Sequence, residues 1–311
     1  MLLLAWYIID DPFMLYWSNE HLFEYGQRKQ CGNDAYRGIR WMDQYDDAMH
    51  YNSFIVGSSR SGFYNIEDWK PYLADDASCF HFSQNGDNLL GSWQRIKYLY
   101  NRFDRIDNIL LVMDPSFIED MKPHRGHLFM QPWQVTGRKD FMEFNREHIV
   151  AFFSWDYQKR LWGLTNEDTD LHYYYIPEYN ELHKDGAEAL LDSLPEAYYA
   201  CLDVIFPFDR SGIETISEPK ILEEQCQALI EIRDLFVSHH TDYRIVISPM
   251  YDQVKLNPQD LQFLNKTFGE DKVFDFSGIN EYTNDVSNYY EKNHYRPKLC
   301  KRLLKRLYLS K

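Results

Sequence analysis

Several common classes are excluded by what the chain has little of. Its five cysteines (Cys31, Cys79, Cys201, Cys226 and Cys300) are scattered and odd in number. They form no CxxC or CxxxC pair, and so support neither a zinc site nor a disulfide framework. Basic side chains are outnumbered: 33 Lys and Arg face 48 Asp and Glu, a formal charge of −15. A field of that sign repels phosphate backbones and argues against nucleic acid as a general partner. No repeat, low-complexity tract or Pro/Gly/Ser linker divides the 311 residues. That length suits one large domain or two small ones. The opening "MLLLAWYII" has eight apolar side chains after the Met, whereas a spanning helix needs about 20. It also lacks a basic n-region and a clear cleavage site. A buried strand or helix and the end of a longer membrane anchor both fit it.

Aromatic side chains, by contrast, are plentiful: 24 Tyr, 20 Phe and 8 Trp. Such rings fill cores, and they also line carbohydrate or apolar clefts.

Short apolar runs bounded by polar or breaking residues predict five buried parallel strands. They are "NSFIVG" (52–57), "SCFHFS" (78–83), "DNILLVMD" (107–114), "YRIVISP" (243–249) and "KVFDFS" (272–277). Helical spacing lies between them. Leu89, Trp93, Ile96, Tyr100 and Phe103 share one face, as do Leu222, Cys226, Leu229, Ile232 and Phe236. The final "RPKLCKRLLKRLYL" has Pro297 in a first helical turn and Leu299, Leu303 and Leu307 in line. Its leucines predict packing on the sheet, with Lys and Arg at the helix end; contact with anionic lipid is the other reading. Strands alternating with helices predict a doubly wound α/β sheet. From about residue 116 to 218 the rhythm stops, and the chain is dense in rings. That interval reads as a mainly helical insertion between strands three and four, over the sheet edge where ligands bind. A lid or substrate-shaping subdomain and a structural or oligomerisation element are both open.

Strand one runs into Gly57, Ser58, Ser59, Arg60, Ser61 and Gly62. Glycine and small hydroxyls there permit a tight turn into a helix, with unpaired N–H groups beside a serine oxygen. The run is no P-loop, for no Lys-Ser or Lys-Thr comes after it. It is no GxSxG elbow either, because Ser61 stands where the glycine belongs. A plain helix cap by Ser58 or Ser59 is the bland alternative. A nucleophilic serine needs a base, and the base an orienting partner. "NYYEKNHYRP" supplies Glu291 three residues before His294, a spacing that brings carboxylate and imidazole together within one turn. Asp47 and His50 repeat the spacing, but just before strand one, towards the opposite end of the sheet. Glu-x-x-His also serves di-iron centres, which need a second copy that the chain lacks.

Taken together, these blocks resemble the SGNH (GDSL-like) hydrolase superfamily. The likeness is to its envelope branch, which includes alginate acetylation and teichoic-acid D-alanylation proteins. Gly57-Ser58-Ser59 matches the first block, Gly86 after Asn85 the second, and Glu291-Lys292-Asn293-His294 the last, with Glu in place of Asp. The third block's Asn is absent; strand three ends in "VMDPSF" with Asp114. The resemblance implies a flavodoxin-like three-layer sandwich over residues 51–311, interrupted by 116–218, after an N-terminal segment 1–50. It implies a triad of Ser59, His294 and Glu291, with the Ser59 and Gly86 N–H groups as oxyanion donors. Asn85, Arg60 and Asp114 are the expected substrate contacts, and no metal or cofactor is called for. The implied activity is a serine esterase or O-acyltransferase acting on acyl, chiefly acetyl, esters of envelope carbohydrate. A non-catalytic module that binds glycan or protein in a polysaccharide-assembly complex is the alternative. The same likeness implies an extracytoplasmic, membrane-associated protein with a membrane-bound acyltransferase partner; a cytoplasmic location is the alternative. An α/β-hydrolase, with its acid on a separate loop, is the remaining fold alternative.

Overall fold

A computed structural model describes residues 2–17, 32–162, 174–200, 210 and 212–309. Cys31 and Cys201, and part of the aromatic interval, lie outside the described residues. In chain order the strands are β1 (Ser53–Gly57), β2 (Cys79–His81), β3 (Asn108–Met113), β4 (Tyr174–Ile176), β5 (Glu181–His183), β6 (Thr215–Ile216), β7 (Asp242–Ile247), β8 (Val254–Lys255), β9 (Val273–Asp275), β10 (Tyr289–Glu291) and β11 (His294–Tyr295). Helices up to the second half of the chain are α1 (Leu2–Asp10), α2 (Asp34–Met49), α3 (Ile66–Trp69), α4 (Leu89–Arg102), α5 (Pro115–Glu119), α6 (Trp133–Thr136), α7 (Phe141–Phe152) and α8 (Trp155–Leu161). Then come α9 (Asp185–Ser193), α10 (Pro195–Ala200), α11 (Glu223–Ser238), α12 (Pro258–Phe268) and α13 (Pro297–Leu309).

All five strands expected from the sequence are present and pair in parallel, in the order β2-β1-β3-β7-β9. Parallel strands covered on both sides favour near-continuous apolar runs, and residues 54–56 of β1, 109–113 of β3 and 245–247 of β7 supply them. Phe54, Val56, Ile109, Leu111, Ile245 and Ile247 share one core with α2, α4, α11 and α12. Ile55, Leu110, Val112 and Val246 alternate onto the other face, with Leu299, Leu303 and Leu304 of α13. The result is three layers, helix–sheet–helix. Each buried side chain of this size is worth about 1.5–3 kcal/mol. A one-residue slip of register would therefore be costly.

Ala35, Ile39, Trp41 and Met42 of α2 lie in the same core as the sheet. The division between residues 50 and 51 expected from the sequence thus marks no break in packing. A third cluster joins Tyr7 of α1 to Phe144 and Phe152 of α7, and Trp6 meets Phe152 edge-on at 4.9 Å. Leu3, Leu4, Ile8 and Ile9 of α1 are exposed, as are Val150 of α7, Phe153 and Trp155. Among the described residues, no helix is long and apolar enough to cross a membrane.

Strand order places one switch point beside β1, where the chain leaves to β2 on one side and β3 on the other. The crevice outside the carboxyl ends at such a point is where open α/β sheets bind ligands.

Candidate active site

Gly57 closes β1 against β3. A Cβ there would lie 2.6 Å from the Val112 carbonyl oxygen, closer than real Cβ contacts allow. The chain then turns: the Ser58 carbonyl accepts from the Ser61 N–H at 3.0 Å and the Ser61 hydroxyl at 2.7 Å. The sequence predicts a helix here, with its positive end at the site. The structure instead has one 3₁₀ turn, Ser61–Phe63, and then the four-residue α3. Elements so short sum few peptide dipoles, so a macrodipole adds little. Neither Ser58 nor Ser59 caps a helix: the capping positions of these two elements are Arg60 and Asn65. The bland reading of the serines is therefore not what the fold uses.

Ser59 Oγ lies 2.8 Å from Nε2 of His294. On the far side of the ring, Nδ1 meets Oε1 of Glu291 in a very short hydrogen bond. Sequence spacing suggests a shared turn for this pair; the structure makes it a β-hairpin. Glu291 of β10 sits directly opposite His294 of β11, with Lys292 and Asn293 as the connection. The Asn293 N–H donates to the second Glu291 oxygen at 2.7 Å, which anchors the carboxylate. Burial alone would raise the Glu291 pKa, but the His294 and Asn293 hydrogen bonds and the nearby Lys184 charge bring it below the ordinary value. An ionised carboxylate only accepts, so Nδ1 carries the proton and Nε2 offers its lone pair to the serine hydroxyl. Phe63 holds the ring edge-on at 5.5 Å. Lys184 lies 5.0 Å above the rings of both Phe63 and Tyr290.

Gly86 lines the same cavity as Ser59 and His294. Its φ of +64° is a left-handed conformation, and a Cβ would approach the Phe129 ring to 3.1 Å, so glycine suits the turn. Among the described residues, the N–H groups of Ser59 and Gly86 meet no acceptor. Asn85 beside it is exposed, and its N–H donates to Asp34 at 3.3 Å.

Two expected substrate contacts have structural duties. Asp114 caps α5 through the Ser116 and Phe117 N–H groups. Its other oxygen takes the Arg60 guanidinium at 2.7 Å. It is 2% exposed and is not among the residues that line the cavity. Paired with Arg60, its charge is also neutralised near the site. Arg60 lines the cavity and donates to the Asn293 carbonyl at 3.1 Å, tying the serine turn to the hairpin. Asp47 and His50 lie at the other end: α2 stops at Met49 and His50 caps it, ahead of β1.

The cavity measures about 640 Å³. Beyond the residues above it is walled by Asp34, Arg37, Asn180, Glu181, Ser116 and Asp120. No Trp or Tyr lines it among the described residues. Between β3 and β7, Phe117 is the one Phe, Tyr or Trp that reaches the wall among the described residues. The interval's other contributions come from 116–124 and 180–184, while rings such as Phe144 and Phe152 pack against α1.

Sequence reasoning missed the Glu181 cluster. Its fully buried carboxylate accepts from the Ile66 N–H at 2.7 Å, meets His183 in a very short contact and lies 3.3 Å from His81. Burial opposes its charge, yet hydrogen bonds from His183 and His81 pull the carboxyl down to about 2. The Glu181 hydrogen bond raises His183 in turn. A signal existed: two residues apart, Glu181 and His183 share one face of a strand. Likewise, His81 is a lone polar ring in a run otherwise fit for burial. Among the described residues, no group of three or more His, Cys, Asp or Glu is arranged to hold a metal ion.

No protein-family model matches the chain, and no curated protein matches it in sequence.

Proposed function

We propose that the chain is a serine ester hydrolase or O-acyltransferase of the SGNH kind. The contact between Ser59 Oγ and His294 Nε2, at 2.8 Å and backed by Glu291, carries this reading. Ser59 attacks the ester carbonyl while its proton passes to Nε2. Glu291 steadies the imidazolium that forms. The Ser59 and Gly86 N–H groups hold the tetrahedral oxyanion. Collapse breaks the ester C–O bond, and His294 returns the proton to the departing alkoxide. The acyl group is then on Ser59. Water, or a sugar hydroxyl, gives its proton to His294 and attacks, and Ser59 leaves with that proton. Water completes hydrolysis; a sugar completes transfer.

The substrate class follows from the wall. Carboxylates, amides, hydroxyls and an Asp34–Arg37 pair at 2.7 Å present donors and acceptors together. Such a lining suits a polyhydroxylated ligand, and a volume near 640 Å³ accommodates a short glycan carrying an acetyl ester. The stretch 116–218 then acts as a substrate-shaping element through Asn180, Glu181 and Lys184. The exposed apolar side chains of α1, α7 and α8 support attachment at a membrane surface, beside a membrane-bound acyl donor. Flotation with neutral lipid vesicles tests the location; protein that stays at the bottom of the gradient rejects it.

Release of acetate from acetylated oligosaccharides or p-nitrophenyl acetate tests the chemistry. Turnover that disappears in Ser59→Ala supports it. Turnover unchanged by that substitution, or absent from the folded protein, sends the reading to a binding module instead.

A further inference from the structure

Arg95 of α4 is completely buried and belongs to none of the groups given a chemical part above. A buried guanidinium needs acceptors for its fork of donors. Its Nε donates to the Phe82 carbonyl at 3.0 Å. Nη2 donates to the Gly57 carbonyl at 3.1 Å, to the Asp87 carboxylate at 2.7 Å and to Ser92 Oγ at 2.9 Å. Nη1 reaches Gln131 at 3.4 Å.

These acceptors are not scattered. Gly57 is the last residue of β1, two before Ser59. Phe82 and Asp87 bracket the turn that carries Gly86. One side chain therefore grips both turns that carry the cavity-lining residues Ser59 and Gly86. Asp87 is itself fixed by the Ser92 hydroxyl at 2.6 Å and the Gln131 amide at 3.0 Å. Gly91 lets α4 come this close: a Cβ there would lie 2.1 Å from the Asp87 carboxylate.

We infer that Arg95 is a positioning residue, which sets the spacing between the Ser59 turn and the Gly86 turn and hence between the two oxyanion donors. This rests on the hydrolase reading above. Donors act only when held about 2.7–3.1 Å from the place the oxyanion will occupy. A displacement of about 1 Å costs on the order of 10²-fold in rate. Lysine keeps the charge but, as a point charge on a flexible stem, does not reproduce the planar fork.

The test is steady-state hydrolysis of p-nitrophenyl acetate by the full chain, by Arg95→Lys and by Ser92→Ala, with unfolding midpoints and pH profiles for each. Arg95→Lys is expected to lower kcat about 10²-fold with KM within about twofold, because the loss is confined to the transition state. The shape of its pH profile stays, since His294 and Glu291 are untouched. Ser92→Ala removes one hydroxyl and is expected to fold; its kcat falls about tenfold with the same KM. It decides the question alone if Arg95→Lys does not fold. Unchanged kcat in the folded variants, or a shifted pH profile, overturns the assignment while leaving the hydrolase reading standing. Turnover that survives Ser59→Ala overturns both.

Discussion

The hydroxyl of Ser59 and the imidazole of His294 touch at 2.8 Å although 235 positions separate them in the chain. One comes from the end of the first sheet strand, the other from a hairpin just before the last helix. Neither position has a local reason to seek the other; the sheet order delivers both to one crevice.

Glu291 should act by orientation and charge. Glu291→Gln leaves the shape but removes the charge. With its oxygen held by the Asn293 N–H, it turns an NH2 donor towards Nδ1, which favours the wrong tautomer. It is expected to lower kcat about 10²–10⁴-fold with KM little changed. Glu291→Asp should retain most of the activity if the hairpin can close on the shorter side chain. Equal activity of wild type and Glu291→Gln in steady-state assays would leave the carboxylate without a part in the chemistry.

Asp114 should matter to stability and not to substrate affinity. Asp114→Ala strands Arg60 and uncaps α5, with an expected loss of about 3 kcal/mol in urea unfolding. KM should stay within about twofold for the folded fraction. A large rise in KM without loss of stability would return Asp114 to the substrate contacts.

The Glu181 cluster should make stability depend on pH. Its carboxyl is drawn down from 4.5 to about 2. That contribution is fully present above the unfolded value and is lost as pH falls towards 2; a shift of that size corresponds to about 3 kcal/mol. His183 is raised, so its contribution is full below its unfolded value of about 6.5 and fades as pH rises through the folded one. Wild type should therefore exceed Glu181→Gln most at about pH 5–6. Urea midpoints for the two proteins from pH 3 to 8 check this; a constant difference across the range would contradict it.

The sheet was legible because buried parallel strands write themselves as short apolar runs, and all five were placed to within two residues or so. The helices α4, α11 and α13 showed their apolar faces by spacing. Ser59, Glu291 and His294 were legible through small local blocks. Arg95 and Asp87 were not, since a buried ion pair joins a helix to a turn and leaves no periodic trace. Asp34 and Arg37 sit in a segment with no motif, and only the packing of α2 on the sheet brings them to the cavity wall. The aromatic wealth is mostly core: its rings pack on both faces of the sheet and between α1 and α7. Of the described Phe, Tyr and Trp side chains, only Phe63 and Phe117 reach the cavity.

The most direct measurement is covalent. Treat the folded chain with a fluorophosphonate and map the adduct by peptide mass spectrometry. A single phosphonyl group on the peptide holding Ser59, kept in Ser58→Ala and lost in both Ser59→Ala and His294→Ala, is the expected result. No adduct on folded protein, or one that persists without the Ser59 hydroxyl, would contradict a serine nucleophile at this position.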